Sequence, residues 1–349
     1  MADLPIAVVI GAGVTGGRVA KLVADSGTAR IGISDVRKEV ALAVARIVNG
    51  AVGVEPDYAE AADVAVLTHP GPHADHAKRL LNNGVAVVST SDDLDDVRDL
   101  IALGDLAGER EVPLVVGAAM SPGLSGLLAR LLSNRLAETD EIHVAMHGTG
   151  GPACARQHHR ALGSGSLGWH EGVWLTKPAG TGRELCWFPE PVNAYDCYRA
   201  EMPDPLLLHE VFPDVSRISA RMSATRRDRF TARLPMLSPP HKEGGIGAVR
   251  VEVRGALASG QRETLIAGVA VRSGLAAAVV AATMTKWALS AHKLNGLILL
   301  GDERLDTEAL LGEVVRCGVS LHEFTGIARP PTEEEIRLEH LGEQHRVKA

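Results

Sequence analysis

Residues 5–16 read Pro5-Ile-Ala-Val-Val-Ile10-Gly11-Ala-Gly13-Val-Thr-Gly16. The run to Ile10 is short and apolar throughout, as expected of a buried strand. A Gly-x-Gly-x-x-Gly turn follows at once, and residues 17–27 (GRVAKLVADSG) carry apolar side chains at helical spacing. A second strand, Arg30 to Ser34, closes on Asp35. Strand, tight turn, helix, strand and acid together fit one βαβ unit that binds a dinucleotide. Gly11 permits the sharp turn, Gly13 lacks the Cβ that would meet a pyrophosphate, and Gly16 lets the helix lie against the strand. The helix start offers free N–H groups and a partial positive charge to phosphates, and Val14 and Thr15 within the turn are cofactor-binding candidates.

Working outward, the chain alternates strands and helices. Helices are expected over Lys38–Val48, His73–Asn82 and Asp95–Ala107, and strands over Asp63–Thr68, Val85–Ser89 and Pro113–Gly117. That alternation predicts an α/β fold, a doubly wound parallel sheet of Rossmann type. Ser121 reads as an N-cap with Pro122 at the first helical position, opening a helix over Gly123–Arg135. After Thr139 the pattern changes. Glu141–Gly148, Ser219–Ser223, Arg229–Leu234, Ala248–Ala256 and Thr264–Val271 read as strands, the last two joined by a hairpin at residues 257–260. This predicts a second, α+β domain with an antiparallel sheet. Gly148–Gly182 is glycine-rich and carries several histidines, and Gly274–His292 reads as a small-residue helix suited to close packing. The expected division is 1–135 for the dinucleotide domain and 136–290 for a substrate and dimerisation domain. Residues 291–349 are expected to hold helices returning to the first domain, one of them over Asp306–Cys317, and a charged tail from Thr332.

Composition bounds the function. At 349 residues the chain has room for about two domains. A net charge of −7 argues against general nucleic-acid or membrane-surface binding, and 3% aromatic content argues against base-stacking platforms. The first strand starts so near Met1 that no signal peptide is expected, which with four unpatterned cysteines predicts a cytoplasmic protein with reduced thiols. The five arginines between Arg217 and Arg229 read as the solvent face of a sheet.

Asp35 at the end of the second strand suits a ribose diol and repels a 2′-phosphate, which favours NAD; Arg37, two residues on, keeps NADP open. Loops beyond the strands' carboxyl ends should flank the cofactor. Thr68, His69 and Pro70 lie on one such loop, Ser89 and Thr90 at the end of the next strand, and Met120 just past a third.

The segment Ser91-Asp-Asp-Leu through Val112-Pro-Leu-Val-Val-Gly-Ala-Ala-Met-Ser-Pro-Gly-Leu-Ser-Gly-Leu-Leu-Ala129 resembles the saccharopine dehydrogenase family. With the glycine turn, the resemblance covers about residues 5–135. It departs at His73, where relatives carry Phe or Tyr, and at Gly126, where Asn is common. The resemblance implies an NAD(P)-dependent dehydrogenase or reductase acting on a C–N bond of an amino-acid-derived substrate, by imine reduction or secondary-amine oxidation. Such chemistry needs an acid/base of near-neutral pKa and cationic anchors for carboxylates. His158, His159 and Lys177 are the acid/base candidates, and Arg156, Arg160 and His147 the substrate-binding ones. A zinc site from His147, His158 and His170 matches no common ligand spacing, so no metal is expected. The second sheet and the Gly274 helix are the expected homodimer surface. Two other readings stay open: a dehydrogenase of another small-molecule class on the same scaffold, and a non-catalytic nicotinamide-binding sensor.

Overall fold

The computed structural model describes residues 4–236 and 243–324. The charged tail expected from Thr332 lies outside the described residues. In chain order the first half comprises β1 (Ile6–Ile10), α1 (Val14–Ser26), β2 (Arg30–Ser34), α2 (Lys38–Ile47), β3 (Val52–Gly53) and, after a 3₁₀ turn at Pro56–Ala61, β4 (Val64–Leu67). Then come α3 (Ala74–Asn82), β5 (Ala86–Ser89), α4 (Leu94–Ile101), α5 (Gly104–Glu109), β6 (Pro113–Val116) and α6 (Leu124–Ser133). The second half begins with β7 (Glu138–His147), α7 (Pro152–Ala161), β8 (Gly165–His170), β9 (Val173–Pro178), β10 (Glu184–Trp187) and β11 (Ala194–Arg199). It continues through α8 (Asp204–Val211), β12 (Arg217–Ser223), α9 (Arg226–Thr231), β13 (Ile246–Ala256), β14 (Arg262–Arg272) and α10 (Ser273–Ala288). The described chain closes with β15 (Gly296–Leu299), α11 (Thr307–Arg316) and β16 (His322–Glu323).

The first sheet has seven parallel strands in the order β15-β6-β5-β4-β1-β2-β3. All residues of β4, β5 and β6 are buried, because helices cover both faces of a parallel sheet. This is the doubly wound Rossmann sheet expected, with β3 and β15 as additions. Helices alone were expected to return after residue 291; the chain instead adds β15 beside β6 before α11 packs on α6 and α10.

The second sheet follows the path β10-β11-β12-β7-β13-β14-β16, with β8 also on β12 and β9 on β8. It is mixed rather than purely antiparallel, since β12 runs parallel to β7. The long hairpin β13–β14 forms as expected. β12 alternates cleanly: Ile218, Ala220 and Met222 face the core while the arginines face out. One apolar core runs from the first sheet into this one.

Four local expectations are corrected. Asp95–Ala107 is two helices, α4 and α5. Arg229–Leu234 is no strand: α9 ends at Thr231, and its start carries a capping box between Thr225 and Asp228 that outweighs the β-like pattern. The arginine run is therefore split between β12 and α9. Ser121 is no helix cap. α6 starts after Gly123, whose φ of +124° suits glycine, while Ser121 and Ser125 both donate to Asp204 Oδ1 at 2.8 and 2.6 Å. Finally, α10 offers little dimer surface, because twelve of its 16 residues are buried, largely against α1 and the two sheets of the same chain.

Candidate functional site

β1 is flanked by β2 on one side and β4 on the other, so the winding reverses there, and a ligand crevice is expected beyond these strands' carboxyl ends. A cleft of about 1270 Å³ opens at that point. Its floor is the glycine turn. Gly11 has φ +102°, and a Cβ there would sit 2.5 Å from the His69 nitrogen. A Cβ on Gly16 would sit 1.8 Å from the Gly11 carbonyl oxygen. Gly13 differs, since nothing lies within 4 Å of its Cβ direction, and the residue lines the open cleft. The N-terminus of α1 has no side-chain cap and no acidic residue in its first turn. Its free N–H groups, with Val14 and Thr15, line the cleft. An uncapped helix end under open space fits a dinucleotide pyrophosphate.

Asp35 knits this floor together. Its Oδ2 accepts from Ala12 N at 2.8 Å and its Oδ1 from Arg37 N at 2.9 Å. Both Asp35 and Arg37 line the cleft, and the guanidinium stands 3.7 Å from the carboxylate. Thr68 Oγ1 donates to the Gly11 carbonyl at 2.7 Å, which fixes the β4 loop against the turn. His69, Pro70, Thr90 and Met120 also line the cleft. Ser89 does not. It is fully buried beneath the wall, with Oγ 2.8 Å from His73 Nδ1.

His73 starts α3 but faces the interior rather than solvent. Its Nε2 donates to the His69 carbonyl at 2.8 Å, so Nδ1 accepts from Ser89. Burial, helped by nearby His69, lowers its pKa to about 4, which keeps the ring neutral. Asp96 on α4 supplies the cap for α3, because its Oδ1 accepts from His73 N and Ala74 N while its Oδ2 takes the Ser91 hydroxyl.

The opposite wall is α7. Pro152 at its start and Gly151 before it set the helix boundary. Cys154 and His158, four residues apart, share a face turned to the cleft. His158 Nε2 lies 3.6 Å from Cys154 Sγ and 3.3 Å from Asp92 Oδ2 of the first domain. Burial alone would lower the His158 pKa, but the cysteine sulfur and the Asp92 carboxylate overcome it and raise it well above the usual imidazole value. The Gly150 N–H points at Cys154 Sγ at 3.3 Å. A second tie crosses the cleft where Gln157 Nε2 donates to Asp93 Oδ2 at 2.8 Å. Arg156 and Arg160 are exposed on the cleft rim.

Three expected residues lie elsewhere. His159 is one step round α7 from His158. It is buried, and its Nε2 donates to the carbonyls of Thr231 and Leu234 at 2.9 and 3.2 Å. Lys177 is exposed on β9, outside the cleft lining. His147 ends β7 with its ring against Tyr195 and Nδ1 2.8 Å from Ser223 Oγ. Its neighbour Met146 faces the cleft, as strand alternation requires. His170 is on β8 and is not grouped with His158 either. Conversely, no role as partners of His158 was assigned from sequence to Asp92 or Cys154. The Gly-Pro start of α7 was the available signal, because a helix there puts residues 154 and 158 on one face.

No family model matches the chain, and no curated protein matches its sequence. Solved structures do. Apo histidine-tagged saccharopine dehydrogenase (L-Glu forming) from Saccharomyces cerevisiae superposes with a TM-score of 0.67 at 13% identity, covering 92% of this chain and 100% of that one. A mutant meso-dapdh with DAP from Clostridium tetani E88 gives 0.50 at 12% identity, covering 96% and 99%. At such identities the likeness is one of fold, and it spans both domains.

Proposed function

We propose that the chain is a nicotinamide-dependent oxidoreductase that reduces an imine, or oxidises the corresponding amine, in an amino-acid-derived substrate. One observation carries the reading: an uncapped glycine-turn helix and a buried, charge-supported histidine face each other across one cleft. When bound, the nicotinamide dinucleotide supplies or accepts the hydride. The protein's residues do the rest. The start of α1 holds the pyrophosphate. Asp35 accepts the ribose hydroxyls, which favours NAD over NADP. His158, held protonated by Cys154 and Asp92, donates a proton to the substrate nitrogen in the reductive direction and takes it back in reverse. Arg156 and Arg160 anchor carboxylate groups at the rim. The saccharopine dehydrogenase likeness in fold agrees with the choice of a C–N bond. A homodimer through the second sheet belongs to the same reading, supported by Leu185 and Trp187 exposed on the edge strand β10; light scattering of the purified chain tests it.

The functional test is a screen of NADH and NADPH oxidation across pairs of amines and oxo acids. The reading expects turnover only when both members of a pair are present. Turnover of an alcohol or sugar with none of the pairs active would replace it with a different dehydrogenase. Cofactor binding without any turnover would favour a sensor.

A further inference from the structure

We infer that Asp92, Cys154 and His158 form a zinc site that bridges the two domains. Their ligand atoms all lie within 4.8 Å of one another. Tetrahedral zinc, with bonds of about 2.3 Å to sulfur and about 2.0–2.2 Å to nitrogen and oxygen, spaces its N and O ligands about 3.4 Å apart and its S and N ligands about 3.6 Å apart. The separations here are 3.3 Å for His158 Nε2 to Asp92 Oδ2 and 3.6 Å for His158 Nε2 to Cys154 Sγ, but Sγ also lies 4.0 Å from Nδ1, so the sulfur stands beside the ring and the Cys154 side chain must turn to meet a metal on Nε2. A single ring hydrogen cannot point at both partners, and the 3.3 Å contact is longer than an ordinary N–H···O bond. With that turn of Cys154, one cation would satisfy all three groups. Sulfur and imidazole donors select zinc over magnesium or calcium. All three residues line the cleft, which leaves a fourth position open to water or to a ligand atom.

The site also has its supports. The Gly150 N–H donates to Cys154 Sγ at 3.3 Å, which ties the sulfur to the turn before α7. The Gln157–Asp93 bond holds α7 against the loop that carries Asp92. The three ligands come from residues 92, 154 and 158, so the metal would pin the β5–α4 loop to α7. Zinc and a proton would compete for the same His158 Nε2. The metal would therefore block turnover rather than take part in it; this last consequence rests on the function proposed above.

Cobalt(II) titration of the full-length chain tests the site, because cobalt takes zinc's geometry and reports its ligands. One equivalent is expected to give the visible bands of tetrahedral cobalt and a thiolate charge-transfer band, both displaced by one equivalent of zinc. Cys154→Ser should abolish the charge-transfer band and weaken zinc binding more than about 100-fold, beyond the loss typical of a supporting residue. Asp92→Asn, a mild and partly exposed change, should weaken it at least about 10-fold with the fold intact by circular dichroism. Octahedral cobalt bands, or zinc affinity unchanged in both variants, would overturn the proposal. Tetrahedral binding with turnover unaffected by zinc would leave the site standing and sink the catalytic role of His158 instead.

Discussion

At the scale of single residues, the proposed function gives each part of the chemistry to one side chain. Asp35 should discriminate between cofactors. Asp35→Ala is expected to weaken NADH binding and shift the NADH/NADPH affinity ratio toward NADPH, aided by Arg37; an unchanged ratio in parallel titrations would remove Asp35 from the ribose. His158 should govern the proton. With its pKa raised, the acid form persists to higher pH than in an ordinary imidazole, and reductive turnover falls as pH rises through that pKa. His158→Asn should lower kcat by about 10²–10⁴ and remove this alkaline limb, with little change in cofactor affinity. His73 should govern stability. Its folded pKa of about 4 lies below the unfolded value of 6.5, so the folded state binds fewer protons between those values. Its contribution is complete above pH 6.5 and is lost as pH falls toward 4, by on the order of 2–3 kcal/mol. Urea denaturation at pH 7 and pH 4.5 should show that loss in the wild type and less of it in His73→Asn. Equal losses in the two proteins would show that His73 is not the buried neutral group.

At the scale of elements, helix ends do much of the positioning. Asp93 caps α4 by accepting from Asp95 N and Asp96 N at 3.1 Å and also receives Gln157 from α7. Asp93→Ala should therefore cost about 1 kcal/mol in denaturant unfolding, the usual value of a lost cap. A variant as stable as wild type would mean that the cap and the cross-cleft bond are idle. This scale also divides what was legible in the sequence from what was not. β1 and β2 were read almost to the residue, and α1 to within three residues at its start, because every signal in them is local: apolar run, glycine turn, helical spacing, closing acid. α7 and the strands β8 to β11 escaped, because glycines and histidines obscure periodicity and their pairings are made with distant strands. Ser121 was misread because the partner that holds it, Asp204, lies 83 residues away. His158 and His159 were ranked together by residue type, and only the helical phase of α7 tells which of the two adjacent rings meets the cleft.

At the scale of the whole molecule, two sheets sharing one core place the glycine turn on one side of a cleft and a Cys–His–Asp group on the other. The connection was partly readable. The glycine turn was plain in the sequence, while the partner wall depended on residues 92 and 158 meeting across a domain boundary that no local pattern reveals. The proposed function requires a nicotinamide dinucleotide to lie over Gly13. The most direct measurement is NADH titration, followed by fluorescence, of the wild type and Gly13→Val, with Gly16→Ala as the structural control. Gly13 has φ −74° and nothing within 4 Å of its Cβ direction, so valine should leave the fold and thermal stability close to wild type while NADH binding is lost. Gly16→Ala should instead lower stability, because its Cβ meets the Gly11 carbonyl at 1.8 Å. A folded Gly13→Val that binds NADH as tightly as wild type would contradict the account.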